Sequence, residues 1–277
     1  MRLPILTLLL SLGALESFCQ SLTRTWSTDT LFLKPESAVY DIKKDVIYIS
    51  NVNGDFLARD NNGFISTIKT DGKIQTLKWI TGLDNPQGMG LYQNKLYVAD
   101  IDRVVQINVD QAKIEHIYKI EGAVFLNDVS IDRKGDLYVS DCRTNKIHRI
   151  SGDKVETWLA DSLLSVPNGL LALDDRVFVL NMKNGLVYSV DKTTKKLSGF
   201  TSGITDCDGI VSDGKDGYFV SGAWQGSIYH LNAKGEKKLI LDLRNEKVIT
   251  ADIAYLPQQK LLIIPTLNKT VIAYKWN

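Results

Sequence analysis

Hydrophobic and polar positions alternate along most of this chain in short runs, the period of a half-buried β-strand and not of a helix. Leu137-Tyr138-Val139-Ser140 and Lys146-Ile147-His148-Arg149-Ile150 are typical runs, set apart by turns rich in Gly, Asn and Asp. One phrase recurs: a polar residue, then Gly, Asp or Ser, then an alternating strand, a turn and a second strand. It starts at Glu36-Ser37-Ala38-Val39-Tyr40, Gln87-Gly88-Met89-Gly90-Leu91, Asn127-Asp128-Val129-Ser130-Ile131, Asn168-Gly169-Leu170-Leu171-Ala172 and Asp208-Gly209-Ile210-Val211-Ser212. A sixth start, Ala251-Asp252-Ile253-Ala254-Tyr255, has Ala where the others are polar. Successive starts lie 51, 40, 41, 40 and 43 residues apart. Four strands at such a period make a β-propeller blade, and six blades close a ring. The predicted fold is all-β: a single six-bladed propeller of four-stranded antiparallel blades over residues 20–277.

The third repeat shows the expected blade. Val129-Ser130-Ile131-Asp132 is the inner strand, Leu137-Tyr138-Val139-Ser140 returns, Lys146 to Ile150 follows, and the outer strand falls near Val155-Glu156-Thr157-Trp158. The last repeat is one strand short, ending on Val271-Ile272-Ala273-Tyr274-Lys275-Trp276. Arg24-Thr25-Trp26 offers a spare strand that would complete that blade, close the ring and remove an open edge. The first repeat is long because of residues 51–62, which strand polarity puts on the same face as the polar starts. Loops of that kind serve either function or surface elaboration.

Composition narrows the setting. A chain of 277 residues, 44% of them hydrophobic, can bury a large core. A net charge of +1 from 33 basic and 32 acidic residues gives no field for nucleic acid. Residues 1–19 read as a secretory signal peptide: Met1-Arg2, an apolar run from Leu3 to Leu15, then Ser17-Phe18-Cys19 before Gln20. The run is too short to span a membrane, and no second one exists, so the expected product is exported, periplasmic or extracellular. Lipidation at Cys19 is the weaker alternative, because Phe18 is bulky where a small residue is wanted. Cys142 and Cys207 fall in different blades and are expected to be free, partly buried thiols, with one disulfide as the alternative in an oxidising compartment.

The polar starts carry the candidate chemistry, since all six positions surround one central channel. Glu36 and Asp208 would bring two carboxylates there, Asn127 and Asn168 two amide oxygens, and Gln87 a further amide. A hard cation such as calcium takes about six to eight oxygen ligands, and two carboxylates balance a divalent charge. Without Cys or His in the set, calcium or magnesium fits better than zinc. Any one Asn-Gly or Asp-Gly alone signals only a turn. Their constant offset from the inner strand is what favours a site.

In these same residues the chain resembles the SMP-30/gluconolactonase/LRE family of six-bladed propellers: Glu36-Ser37, Asn127-Asp128, Pro167-Asn168-Gly169 and Asp208-Gly209 follow one another in the family's order. The resemblance spans nearly all of residues 20–277. It implies one axial divalent metal held by Glu36, Asn168 and Asp208, with Asn127 touching substrate or completing the shell, and Asp208 as candidate base. It also implies an Arg two residues before the Asn-Asp pair, where sugar lactonases meet substrate oxygens; this chain has Phe125 there. That departure turns the expectation from a sugar lactone toward a less polar substrate or none, with Gln87 and Phe125 as further substrate contacts where there is one.

Other catalytic signatures fail. His116, His148 and His230 fall on third or outer strands, away from the axis, so a Ser-His or Cys-His pair lacks its base. Trp26, Trp79, Trp158, Trp224 and Trp276 are expected to pack between blades. Two functions stay open: a metal-dependent hydrolase acting on a small ester or lactone, and a non-catalytic propeller whose axial cation staples the blades while its polar face binds a ligand or protein. A protein-interaction module of the NHL type is a third reading, resting on a surface patch that sequence does not reveal. Fold alone does not choose among them.

Overall fold

The computed structural model describes residues 21–277, so the expected signal peptide and Cys19 lie outside the described residues. The chain starts with β1 (Leu22–Ser27) and then builds blades in order. The first blade is β2 (Pro35–Asp41), β3 (Val46–Asn51), β4 (Gly63–Lys69) and β5 (Ile74–Leu83). The second is β6 (Pro86–Tyr92), β7 (Lys95–Asp100), β8 (Arg103–Asn108) and β9 (Lys113–Lys119), and the third β10 (Leu126–Ile131), β11 (Leu137–Asp141), β12 (Lys146–Ser151) and β13 (Lys154–Ala160). The fourth is β14 (Pro167–Ala172), β15 (Arg176–Asn181), β16 (Leu186–Asp191) and β17 (Leu197–Thr201). The fifth is β18 (Cys207–Ser212), β19 (Tyr218–Gly222), β20 (Ser227–Leu231) and β21 (Lys237–Asp242). The sixth has β22 (Ala254–Leu256), β23 (Leu261–Pro265) and β24 (Val271–Trp276), and β1 pairs antiparallel with β24 as its outer strand. Both the six-bladed ring and its closure by the N-terminal strand are therefore as the sequence predicts. A single 3-10 turn at Arg244–Glu246 is the only helical element among the described residues, and no helix there is long and apolar enough to cross a membrane.

The core lies between blades, and strand periodicity puts it there. In β3, Ile47 and Ile49 pack with Leu256, Ile263 and Ala273 of the sixth blade, whereas Tyr48 packs with Met89, Leu96 and Val98 of the second. In β15, Val177 and Val179 join Tyr138 and Ile147 of the third blade, and Phe178 and Leu180 join Ile210 and Val220 of the fifth. Each second strand is thus buried on both faces and is hydrophobic almost throughout. Removing one such side chain to Ala costs about 2–5 kcal/mol.

One departure from strand regularity positions the axis. In β2, β6, β10, β14 and β18 the ladder slips, between Pro35 and Ala38, Pro86 and Met89, Leu126 and Val129, Pro167 and Leu170, and Cys207 and Ile210. Two inner residues face one on the neighbouring strand, which is a β-bulge. The backbone N–H groups so released find hydroxyls: Ser37 donates to Ser50 Oγ at 2.9 Å, Asp128 to Ser140 Oγ at 3.0 Å and Gly209 to Ser221 Oγ at 2.8 Å.

Candidate active site

The bulged pairs divide between the two mouths of the channel. One mouth opens on a cavity of about 260 Å³ lined by Glu36, Gln87, Asn127, Asn168 and Asp208, with Phe125 in its wall. All six residues that the sequence singles out thus meet in one place. The following residue of two pairs goes the other way: Asp128 and, from the sixth blade, Asp252 line the opposite mouth, a wider hollow of about 550 Å³. Glycines on the intervening blades make the approach feasible. A Cβ at Gly169 would lie 1.8 Å from the Asp208 carbonyl oxygen, and one at Gly209 would lie 2.5 Å from Asp252 Oδ1.

Hydrogen bonding separates the two carboxylate layers. Asp128 accepts from the Val129 N–H and, across to the fourth blade, from the Leu170 N–H, both at 2.6 Å. Asp252 Oδ2 accepts from the Ser37 hydroxyl at 2.6 Å, tying the sixth blade to the first. In the other layer, Glu36 Oε2 and Asp208 Oδ1 are buried and have no hydrogen-bond partner. A buried carboxylate oxygen left this way is costly unless a cation or proton meets it.

Electrostatics agrees. Burial, then the charges of Asp208, Asp252 and Asp128, hold the Glu36 carboxyl well above the usual range. Burial and Asp252 do the same to Asp208, against an opposing pull from the Asn168 amide. Burial and Asp252 raise Asp128 as well, and burial brings Asp252 to about 6 despite the Ser37 hydroxyl and the Ile253 N–H. The donor set is oxygen only: two free carboxylate oxygens and the amides of Asn127, Asn168 and Gln87, the last of which spends its N–H on Asn85 Oδ1. Among the described residues no three His, Cys, Asp or Glu side chains converge as metal ligands, so the set reaches a divalent shell only through its amides. Oxygen ligands of this kind, with two negative charges, fit calcium or magnesium.

The walls come from one long loop and from turns just past the second strands. Phe56 enters from residues 51–62, a loop pinned by Lys34 Nζ to the Gly54 carbonyl at 2.5 Å and by Asn85 Nδ2 to the Asp55 carbonyl at 2.9 Å. Its ring meets Phe125 edge-on, with centroids 6.4 Å apart. Cys142, Met182 and Ala223 are equivalent residues just past the second strand of three blades. Each donates its N–H to an entry-loop carbonyl, those of Phe125, Val166 and Asp206. Arg143 and Trp224 follow Cys142 and Ala223, and both line the pocket. Trp224 corrects the sequence expectation: it is 54% exposed at the mouth, not packed between blades. Trp158 does pack there, edge-on against Tyr138. Both cysteines are free, as expected; Cys142 donates to the Pro167 carbonyl, and burial pushes both thiols up, Cys207 to about 12. None of the three histidines lines the pocket.

No protein-family model matches the sequence, and no curated protein matches it either. Solved structures do. A gluconolactonase from Xanthomonas campestris superposes with a TM-score of 0.72 at 13% identity, over 93% of this chain and 90% of the other. A further structure, described as a proposed gluconolactonase, gives 0.73 at 16% identity over 94% and 93%. What these proteins share with the chain is the fold. Virginiamycin B lyase from Staphylococcus aureus shares it too, with a TM-score of 0.69 at 13% identity over 92% and 99%. The propeller is thus of the shape that the SMP-30/gluconolactonase resemblance implies, a shape also used by a lyase.

Proposed function

We propose that the protein is an exported hydrolase of small esters or lactones that works with one axial divalent cation, calcium by preference. The observation that carries the reading is the pair of buried, unpartnered oxygens, Glu36 Oε2 and Asp208 Oδ1, ringed by amides at the floor of an open pocket. The gluconolactonases of the same fold support it. The lyase alternative is weaker. One such lyase becomes catalytically inactive when a single histidine is replaced by alanine, and no histidine reaches this pocket.

Glu36, Asn127, Asn168 and Asp208 would hold the cation. When bound, a divalent ion supplies charge that polarises a carbonyl and makes water more acidic. Asp208 takes the proton of the attacking water on its carboxylate and returns it to the leaving oxygen. One carbonyl C–O bond forms, the ester C–O bond breaks, and no electrons change hands. Phe125 and Met182 keep bulk water from the reacting carbonyl, which strengthens every charge interaction beneath them.

Asp208→Asn should keep the fold and lose about 10²–10⁴-fold in turnover of a lactone or ester panel with calcium, the usual contribution of a positioned base. Elemental analysis of the purified protein should find stoichiometric calcium or magnesium, absent from a Glu36→Gln, Asp208→Asn double variant. A melting temperature indifferent to calcium and chelator, with no bound metal, sinks the reading. Metal that raises the melting temperature without turnover of any substrate would instead make it a structural staple.

A further inference from the structure

Above the axial oxygens the pocket changes character. Its wall is Phe56, Phe125, Val166, Met182, Trp224 and Leu267, and among the described residues Arg143 at the rim is the only cationic side chain lining it. A polyhydroxylated substrate would bring several hydroxyl groups against this wall. Each would lose its water and find no partner, which disfavours such a substrate. Apolar exposure continues outward: Trp224 is 54% exposed, and Leu57 and Val124, next to Phe56 and Phe125 in their loops, are 48% and 46% exposed. The apolar track therefore runs from the floor, over the edge-on Phe56–Phe125 pair, to the outside. The Phe56 ring is held in place, with Lys34 Nζ 5.4 Å from its centroid.

Resting on the hydrolase reading above, we propose that the substrate is a lactone or ester with an apolar arm, its carbonyl at the cation site framed by Glu36, Asn127, Asn168 and Asp208 and its arm along Phe56, Phe125 and Trp224. Volume sets how much of the arm is enclosed. The cavity of about 260 Å³ holds roughly nine water-sized groups at about 30 Å³ each. A five-membered lactone with its carbonyl oxygen takes about six of these, leaving space for about three carbons of the arm inside. Each enclosed methylene contributes about 0.8 kcal/mol, or roughly a fourfold gain in kcat/KM. Carbons beyond those lie against the exposed face of Trp224 and gain less.

The test uses γ-lactones from γ-butyrolactone to γ-decalactone, glucono-δ-lactone, and 3-alkylcyclopentanones of matching arm length, which place the arm as the lactones do but lack the scissile bond. Lactone kcat/KM should climb about fourfold per carbon over the first three or so carbons and then level. Ketone affinity by calorimetry should climb in parallel, and gluconolactone should be the poorest substrate. Trp224→Ala, a change at an exposed side chain, should flatten the ratio of long-arm to short-arm kcat/KM. Phe125→Arg should lower that ratio and raise gluconolactone turnover. Ketone affinity that rises with arm length while no lactone turns over supports the apolar-arm site and overturns only the hydrolase reading. Turnover independent of arm length, or fastest with gluconolactone, overturns the apolar arm and leaves the hydrolase standing. Ketone affinity flat across the series also overturns it.

Discussion

Asp141 ends β11 and holds the loop that brings Phe125 and Asn127 to the channel. Its carboxylate accepts from the N–H groups of Val124 at 2.9 Å and Phe125 at 3.2 Å, and also from those of Arg143 and Thr144. His148 Nε2 lies 3.9 Å away, too far for a hydrogen bond. Burial pushes this carboxyl up, but the donors around it win and hold it below the usual carboxylate range. The equivalent residues Asn51 and Asn181 each accept one such N–H, from Leu33 and Ser165. Asp141→Asn should therefore fold, whereas Asp141→Ala takes the acceptor from four N–H groups and should cost at least about 2–3 kcal/mol in denaturant unfolding. The pH dependence has a definite sign. A depressed folded pKa means that the unfolded chain binds more protons in acid, so the stabilisation is present above an unfolded value of about 4 and fades as pH falls through the folded value. Wild-type and Asp141→Asn melting temperatures should differ most near neutrality and converge in acid; a gap that widens in acid would refute the assignment. At this scale the sequence is half legible. Glu36, Gln87, Asn127, Asn168 and Asp208 could be found because they share one offset in each repeat. Asp252 sits one place later, behind Ala251, and Phe56 comes from a long loop of the first blade; Met182, and Arg143 and Trp224 one place further on, do fall in register just past second strands, but their unlike side chains give no signal of a shared site.

At the scale of the strand, the inner β-bulge decides which residues reach the pocket that holds Glu36 and Asp208. A regular strand sends neighbours to opposite faces, whereas here Asn127 lines one mouth and Asp128 the other. Alternation made the strands readable, because second strands such as Val177-Phe178-Val179-Leu180 are buried on both sides and must be apolar at every position. The bulge was not readable. Two adjacent polar residues entering a strand look the same as the end of a turn, and the hydroxyls that satisfy the freed N–H groups lie on another strand, at Ser50, Ser140 and Ser221. Gly169 gives the sharpest test of the arrangement. An added methyl would meet the backbone oxygen of Asp208, an atom that can move only with its strand. Gly169→Ala should lower stability by about 3 kcal/mol, at the upper end of overpacking costs. On the proposed metal reading it should also weaken calcium binding more than Gly199→Ala, a glycine with open space around it. Equal calcium affinity in the two variants would show that the axial residues do not depend on this contact.

For the whole molecule, the question is what keeps six similar blades in one closed ring. Interfaces between blades are apolar and much alike, so they fix neighbour contacts without fixing the number of blades. Closure is set by β1, which zips onto β24 from Leu22 opposite Trp276 to Ser27 opposite Ile272. The same strand reaches forward into the first blade: Trp26 Nε1 donates to the Thr70 carbonyl at 2.9 Å, and the Trp26 ring packs on the cluster that joins the first and sixth blades. One segment therefore completes the last blade and clasps the first. A chain beginning at Thr28 would keep every other blade intact but bare the β24 edge and the cluster beneath Trp26. An unpaired, largely apolar edge strand recruits another chain. The expected outcome is a melting temperature lower by several degrees, since a loss of about 1 kcal/mol already shifts a domain of this size by about 2–4 °C. Concentration-dependent association in sedimentation should accompany it, and a peptide carrying residues 21–28 should reverse both effects by restoring the strand. A truncated chain that stays monomeric at unchanged melting temperature would place ring closure in the blade interfaces and leave β1 as mere edge cover.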